Sequence, residues 1–207
     1  MQAAARGFRK LHIETIILRK SRKASTSPVK RACTPTLAVR AQATSQKKGI
    51  IRAGALTIPC ALGKGGISAN KREGDGATPL ATMRPLAVYF RGDRRLPGLS
   101  EVRLPKILIR EDDGWCDAPG DRRYNKPVRT PYPASHEKML REDRLYNVCI
   151  VLDWNMRPAI RNRGSAIFMH IARPGMKPTE GCIALKPKDM SRLLPLLSRY
   201  TRIRILR

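Results

Sequence analysis

The sequence predicts a mainly β domain with one or two short helices. From Gly49 onward, short β-branched and apolar runs alternate with turns rich in glycine and proline, which is typical of strands. Only one stretch, near the C-terminus, repeats apolar residues at helical spacing. The chain has 207 residues, of which 42% are hydrophobic, so it is long enough for one domain with a core and a tail.

Residues 1–48 differ from the rest in charge. They carry 12 Lys and Arg side chains and one acid, Glu14, within a chain whose net charge is +26. We expect a disordered basic arm; a transit-like segment and an extension upstream of the true start are the alternatives. The apolar run Leu11–Leu18 contains a histidine and an acid, unlike a secretory signal, and no stretch is long enough for a membrane helix.

The predicted strands follow in chain order. Ile50–Leu62 is β-branched and apolar, is interrupted by Gly54 and Pro59, and fits a hairpin. Residues 63–66 and 73–76 are glycine-rich loops, and the first lacks the spacing of a phosphate-binding loop. Further strands are expected at Met83–Phe90, Asn147–Trp154 (central), Gly164–Ile171, Gly181–Leu185 and Thr201–Leu206 (edge-like and closing).

A short helix is expected near the C-terminus. Met190, Leu193, Leu194 and Leu197 follow the spacing of an amphipathic stripe. An interior proline, Pro195, should kink or split this helix, because it removes a backbone hydrogen bond.

Residues 91–145 are polar and rich in proline and charge, which indicates a long, partly ordered insertion and a candidate lid. His136 is a candidate for substrate contact, with an ordinary surface histidine as the alternative. Trp115–Asp117 and Tyr124–Asn125 are candidates to line a cleft, although packing of a long loop explains them equally well.

The cysteines and histidines argue against a metal centre. The five cysteines (33, 60, 116, 149 and 182) include no closely spaced pair, and the three histidines are scattered, so we do not expect a structural zinc site. Cys60 and Cys149 lie in apolar runs and are expected to be buried small hydrophobic residues, with a disulfide between them left open.

Cys182 and His170 carry the functional prediction. Cys182 follows Gly181 in a loop, and His170 ends an apolar run twelve residues upstream, so one short loop can bring a thiol and an imidazole together. These are the parts of a cysteine nucleophile and its general base. The N–H groups of Gly181 and Cys182 can stabilise an oxyanion, since glycine allows close approach of the backbone. The alternative is that both residues belong to the core.

The stretch Gly164–Leu185, with Thr179-Glu180-Gly181-Cys182, resembles the catalytic signature of the L,D-transpeptidases, the YkuD domain. In that family a histidine at a strand end precedes Ser/Thr-His-Gly-Cys. Thr78-Pro79, after a glycine-rich turn, is similar to a Thr-Pro-x-Gly segment of the same domain. The resemblance covers residues 49–207 as the catalytic domain and implies a mixed β-sandwich or barrel.

The resemblance also implies a reaction. A thioester at Cys182, with His170 as base, would transfer an acyl group between peptidoglycan tetrapeptide stems, with water as an alternative acceptor. It implies a periplasmic or cell-wall location and a reaction that needs no metal or cofactor. We also expect a monomer with no specific nucleic-acid partner. Arg173, Thr179 and Glu180 are candidates for substrate binding; Glu180 replaces the family's second histidine and would raise the thiol pKa by repulsion.

A different function is compatible with the charge. A net charge of +26 suits a basic module that binds nucleic acid or another anionic polymer, with Cys182 only structural. The sequence lacks a stacking pattern of aromatic residues and any known nucleic-acid motif, which favours the enzyme.

Overall fold

A computed structural model describes residues 36–207 of the chain. The predicted mainly β class is confirmed. The strands are β1 Thr36–Gln42, β2 Ser45–Ala53, β3 Leu56–Ala61, β4 Ile67–Ser68, β5 Thr78–Pro79, β6 Thr82–Met83, β7 Pro85–Phe90, β8 Lys106–Leu108, β9 Asp113–Cys116, β10 Lys126–Arg129, β11 His136–Lys138, β12 Val148–Leu152, β13 Phe168–Ile171, β14 Ile183–Leu185 and β15 Arg202–Leu206. The helix α1 spans Pro187–Leu193, and 3₁₀ turns cover Leu145–Asn147, Pro174–Met176 and Leu194–Leu196.

Ten strands form one mixed sheet in the order β6-β15-β1-β2-β3-β14-β13-β12-β7-β8. Strands from β15 through β7 contribute buried aliphatic side chains to a single cluster, so the sheet wraps around one core. Alternation along each strand sends one set of side chains into this core and the other set to the opposite face. Examples of the inward set are Val39, Ile150 and Met169, all fully buried.

A second cluster covers the opposite face of β12 and β13. It combines Cys149 and Phe168 from these strands with Trp115, Met139 and Tyr146 from the chain that follows residue 91. Trp115 packs edge-on against Phe168 with ring centroids 5.1 Å apart. The insertion therefore forms a second layer over the strand that carries His170.

The predicted domain boundary after residue 48 is wrong. β1 and the first part of β2 precede it and pair in the ten-stranded sheet, β1 in parallel with β15 and antiparallel with β2. Leu37 and Val39 alternate with exposed or half-buried neighbours and are buried in the core. The basic composition of this segment concealed a strand pattern of only two large apolar residues. The remainder of the predicted arm, residues 1–35, lies outside the described residues.

The predicted hairpin over Ile50–Leu62 is confirmed as β2 and β3. The C-terminal helix ends at Leu193 and continues as a 3₁₀ turn containing Pro195, as the proline predicts. β15 pairs on both sides, with β1 and the two-residue β6, so it is not the outermost strand that the sequence suggested. The predicted strands at 164–171 and 181–185 are shorter than expected and retain only β13 and β14.

The insertion is more ordered than its composition suggests. Besides β8, which extends the main sheet, it contains a separate three-stranded sheet in the order β10-β9-β11. Cys60 and Cys149 are buried and free, and they belong to different clusters, which rules out the disulfide left open above. Within residues 36–207, no helix is both long and apolar enough to cross a membrane.

Candidate active site

The register of two parallel strands brings the predicted pair to one face of the sheet. Met169 pairs with Ile183, so Phe168 lies beside Cys182 and His170 lies one row further along, beside Ala184. Side chains two residues apart share a face of a strand, so His170 and Cys182 are diagonal neighbours on the face covered by the insertion. Both side chains line the same small cavity, about 70 Å³ in volume.

The Cys182 thiol is buried and hydrogen-bonded to the backbone. Its Sγ lies 3.2 Å from the carbonyl oxygen of Ala166, to which the thiol donates, and it accepts the Phe168 N–H at 3.4 Å. Burial, together with the charge of Glu137, raises the pKa of Cys182 to about 12. The resting group is therefore a neutral thiol, which needs a base before it can act as a nucleophile.

The imidazole of His170 is 4% exposed and has a defined tautomer. Its Nδ1 lies 2.8 Å from the carbonyl oxygen of Ile171, which can only accept, so Nδ1 carries the proton and Nε2 has the free lone pair. Burial lowers the pKa of His170 to about 4. The ring packs edge-on against Tyr146, with centroids 5.4 Å apart. His170 is thus a neutral base at physiological pH.

Sulfur and imidazole do not hydrogen-bond to each other within the described chain. The thiol proton is directed at the Ala166 carbonyl, while the imidazole donates through Nδ1 to the Ile171 carbonyl. Transfer of the thiol proton to Nε2 would first require the thiol to release the Ala166 carbonyl.

The turn before Cys182 is held by its own side chains. The Thr179 hydroxyl donates to the carbonyl oxygen of Cys182 at 2.6 Å and accepts the Gly181 N–H at 3.2 Å. The Gly181 N–H, predicted as an oxyanion donor, is therefore engaged in this state. The Cys182 N–H donates no backbone or side-chain hydrogen bond within residues 36–207.

Gly181 has a conformation that other residues rarely adopt. Its φ is 132°, and a methyl group on it would lie 2.8 Å from the carbonyl oxygen of Ala77. Ala77 directly precedes Thr78, whose hydroxyl accepts the Gly63 N–H at 2.9 Å. The two separate motifs, Thr78-Pro79 and Gly181-Cys182, are therefore neighbours in the fold, because the first motif packs against the turn of the second.

The insertion and the turn before β12 supply one wall of the cavity, with Glu137, Arg141, Leu145 and Tyr146. The Tyr146 hydroxyl donates to Oε2 of Glu137. Arg141 lies over the Tyr146 ring, 5.2 Å from its centroid, and pairs with Asp143. These side chains cover the thiol and imidazole from the side opposite the sheet.

Three of the other predicted residues lie at the cavity and one does not. Arg173, Thr179 and Glu180 all line the cavity, as does Lys177. The Glu180 carboxylate is 72% exposed and pairs with Lys64 at 2.8 Å, so it points toward solvent. His136 is not part of the cavity wall; its Nδ1 lies 2.8 Å from the Ala134 carbonyl oxygen.

Trp115 and Asn125 lie behind the cavity rather than in it. Asn125 is 2% exposed and uses its whole amide: Oδ1 accepts from the Trp115 indole and the Ala166 N–H, and Nδ2 donates to the carbonyls of Trp154 and Asn155. It therefore joins the insertion to the segment that ends at Ala166.

Sequence reasoning missed Glu137, Arg141 and Tyr146. They belong to no motif, and two of them lie among the charged residues of the insertion. The one local signal is Leu145-Tyr146, a buried pair that only Asn147 separates from the central strand β12. Lys177, on the loop that follows β13, also lines the cavity. No cluster of three metal-binding side chains occurs among the residues the structure describes.

The profile of the L,D-transpeptidase catalytic domain, YkuD, matches residues 38–205. The chain belongs to this family, which indicates an L,D-transpeptidase-type activity and a peptidoglycan substrate. The match begins inside β1, in agreement with the position of that strand in the sheet. Searches of curated proteins and of solved structures found no match.

Proposed function

We propose that the protein is a cysteine acyltransferase that crosslinks or remodels peptidoglycan stem peptides, with Cys182 as nucleophile and His170 as general base. The observation that carries this is the shared cavity of the two side chains, in which His170 Nε2 is the free basic nitrogen. The membership of the YkuD family supports the reaction class.

The protonation states define the first step. Thiol and imidazole are both neutral, because burial raises one pKa to about 12 and lowers the other to about 4. Cys182 turns from the Ala166 carbonyl toward His170, and the thiol proton passes to Nε2 as sulfur attacks the carbonyl at the L-centre of a diamino acid residue. This residue is the third of a tetrapeptide stem.

The tetrahedral intermediate then collapses to a thioester. The bond from carbon to the nitrogen of the terminal D-Ala breaks, and protonated His170 returns its proton to the leaving amine. An amine of a second stem attacks the thioester and forms the crosslink; water as acceptor gives L,D-carboxypeptidase activity.

The oxyanion is held by backbone donors of the Gly181-Cys182 turn. The Cys182 N–H is the principal donor, because it has no acceptor within the described chain. The Gly181 N–H joins it when it turns from the Thr179 hydroxyl, its acceptor at 3.2 Å. Thr179 thus acts by holding the turn.

The insertion serves as a lid. A cavity of about 70 Å³ holds only a few water molecules, each of which occupies about 30 Å³ in the liquid, so a stem peptide enters when the covering wall moves. Arg173 lies between this cavity and a larger one of about 750 Å³ lined by the same loop, Arg173–Met176. This position suits an arginine that binds a stem carboxylate.

The proposed setting follows from the substrate. Peptidoglycan stems lie in the periplasm or cell wall, where we place the protein as a monomer. The rival prediction, a basic polymer-binding module with a structural Cys182, has the net charge of +26 as its only support.

Intact-mass measurement after incubation with a carbapenem tests the proposal, because the strained carbonyl traps a reactive thiol as a covalent adduct. We expect one adduct on the full chain, none on Cys182→Ser, and slower formation on His170→Gln. Cys60→Ala removes another buried thiol, which does not line the small cavity, and should leave the adduct unchanged. No adduct on the full chain, together with salt-dependent polyanion binding that survives Cys182→Ser, would favour the rival.

A further inference from the structure

The wall of the catalytic cavity contains a carboxylate that has no counter-ion. Glu137 lies on β11 of the insertion, is half-buried and lines the cavity with Cys182 and His170. Its Oε2 accepts the Tyr146 hydroxyl, and no Lys, Arg or His within residues 36–207 lies in ion-pair distance. A half-buried carboxylate with one neutral partner is costly unless a ligand completes it.

The nearest cation of the wall is already committed. Arg141 pairs with Asp143 through two of its nitrogens, at 3.0 and 2.6 Å, although it lies over the Tyr146 ring close by. Burial raises the pKa of Glu137. The Tyr146 hydrogen bond and the charge of Arg141 lower it, but the net shift is upward. The carboxylate therefore retains unsatisfied capacity toward the cavity.

The negative charge of Glu137 raises the pKa of the Cys182 thiol. Among the charged groups around Cys182, Glu137 raises the thiol pKa most, ahead of the exposed Glu180, while Lys71 lowers it. Placing a negative charge there works against thiolate formation in the empty cavity. A cation bound to Glu137 would remove this opposition when substrate is present.

We propose that Glu137, oriented by Tyr146, binds the side-chain ammonium group of the diamino acid residue whose carbonyl Cys182 attacks. The inference rests on the proposed function and names a specificity-determining residue for it. An ammonium group on the ligand supplies the missing counter-ion and donates hydrogen bonds that a neutral amide cannot match.

The remaining charges of the cavity complement such a ligand. Arg173 and Lys177 lie on the loop that joins β13 to β14, whereas Glu137 and Tyr146 lie on the insertion side. A residue that carries an ammonium and a carboxylate at one centre, such as diaminopimelic acid, presents one charge to each wall. The subsite thus selects the amino-acid head group at the end of the side chain and thereby orients the residue whose carbonyl Cys182 attacks.

Binding to the full-length Cys182→Ser chain, which cannot form the thioester, tests this without turnover. The probes are a tetrapeptide stem with diaminopimelic acid at its third position and the same stem with the side-chain amine acetylated. We expect the free amine to bind about 10- to 100-fold more tightly, the range for a hydrogen bond to a charged group. When Glu137→Gln is combined with Cys182→Ser, the ratio of the two affinities should come close to one. The glutamine keeps an acceptor for the Tyr146 hydroxyl.

Two further variants distinguish charge recognition from a structural effect. Glu142→Gln removes an exposed acid from the same insertion and should leave the ratio unchanged. Glu137→Asp keeps the charge and should restore part of the preference. An equal loss of affinity for both peptides in Glu137→Gln, or no preference at the outset, overturns the proposal. Binding with the expected ratio but no carbapenem adduct on the wild-type chain would instead refute the proposed reaction alone.

Discussion

Asn125 holds Ala166 through a hydrogen bond of 3.0 Å from the Ala166 N–H to its side-chain Oδ1, and Ala166 in turn accepts the thiol proton of Cys182. Ala166 has a positive φ of 50°, which non-glycine residues adopt only when their surroundings impose it. The insertion thereby acts on the nucleophile indirectly, through one buried amide and one backbone carbonyl.

Replacing Asn125 should therefore affect both stability and thiol chemistry. Asn125→Ala leaves the Ala166 N–H and the Trp115 indole without their acceptor and is expected to cost about 3 kcal/mol of unfolding free energy. Urea denaturation measures this, and the carbapenem adduct should form at least about tenfold more slowly because Ala166 is released.

Two other variants serve as controls for Asn125→Ala. Asn125→Asp tolerates the left-handed backbone, φ 58°, and keeps the acceptor, so it should lose less than the alanine variant. Asn70→Ala removes an exposed amide and should change stability by less than about 0.5 kcal/mol. Wild-type stability and adduct rate in Asn125→Ala would contradict the connection to Cys182.

The pH dependence of acylation and of alkylation should show that the Cys182 thiol and the His170 imidazole are both neutral in the resting protein. Protonation of His170, whose pKa is about 4, removes the base, so kcat/KM for acylation should fall on acidification through this pKa and stay level from about pH 6 to 9. Alkylation by iodoacetamide needs the thiolate and should keep rising with pH up to about 10, because the Cys182 pKa is about 12.

A preformed thiolate–imidazolium pair gives a different profile. Alkylation of such a pair reaches a plateau at or below neutral pH, since the thiolate is already present. Measuring the alkylation rate at Cys182 by mass spectrometry across this range separates the two states, with Cys182→Ser as the blank for the other thiols.

The sequence predicts the fold where long apolar runs mark the strands, as in Asn147–Trp154, where β12 is buried on both faces, and the hairpin over Ile50–Leu62. It fails at β1, where only Leu37 and Val39 mark the buried side and basic neighbours dominate the composition. It also fails in the insertion, whose three-stranded sheet consists of strands of three or four residues with little alternation.

The residues of the candidate site also fall into two groups, those that the sequence predicts and those that it does not. Cys182 and His170 are predictable because one short connection joins two parallel strands that are adjacent in the sheet. Glu137 and Tyr146 reach the cavity only through the packing of Trp115 and Met139 over Phe168, which no local pattern encodes. Their positions depend on tertiary contacts more than 20 residues apart in sequence.

The Thr179 hydroxyl should matter for the turn more than for substrate affinity. Thr179→Val keeps the shape but removes the bonds to the Cys182 carbonyl and the Gly181 N–H, for an expected loss of about 1–3 kcal/mol in unfolding free energy. Thr179→Ser retains the hydroxyl and should recover most of this loss. A valine variant with normal stability and a raised KM alone would instead assign Thr179 to substrate binding.

Substitution of Gly181 should be the most damaging single-methyl change near the nucleophile. In Gly181→Ala the added carbon meets the Ala77 carbonyl oxygen at 2.8 Å, and a φ of 132° is unfavourable for any residue with a Cβ. The turn must shift, which displaces the Cys182 N–H from the oxyanion position and should reduce the adduct rate by about 100-fold, as for loss of an oxyanion donor. Gly120→Ala is the matched control, because its added methyl meets no atom within 4 Å and should leave both rate and stability unchanged. Comparing the two variants by adduct kinetics and thermal unfolding decides the matter: a fully active Gly181→Ala protein would show that the turn before Cys182 does not position the nucleophile.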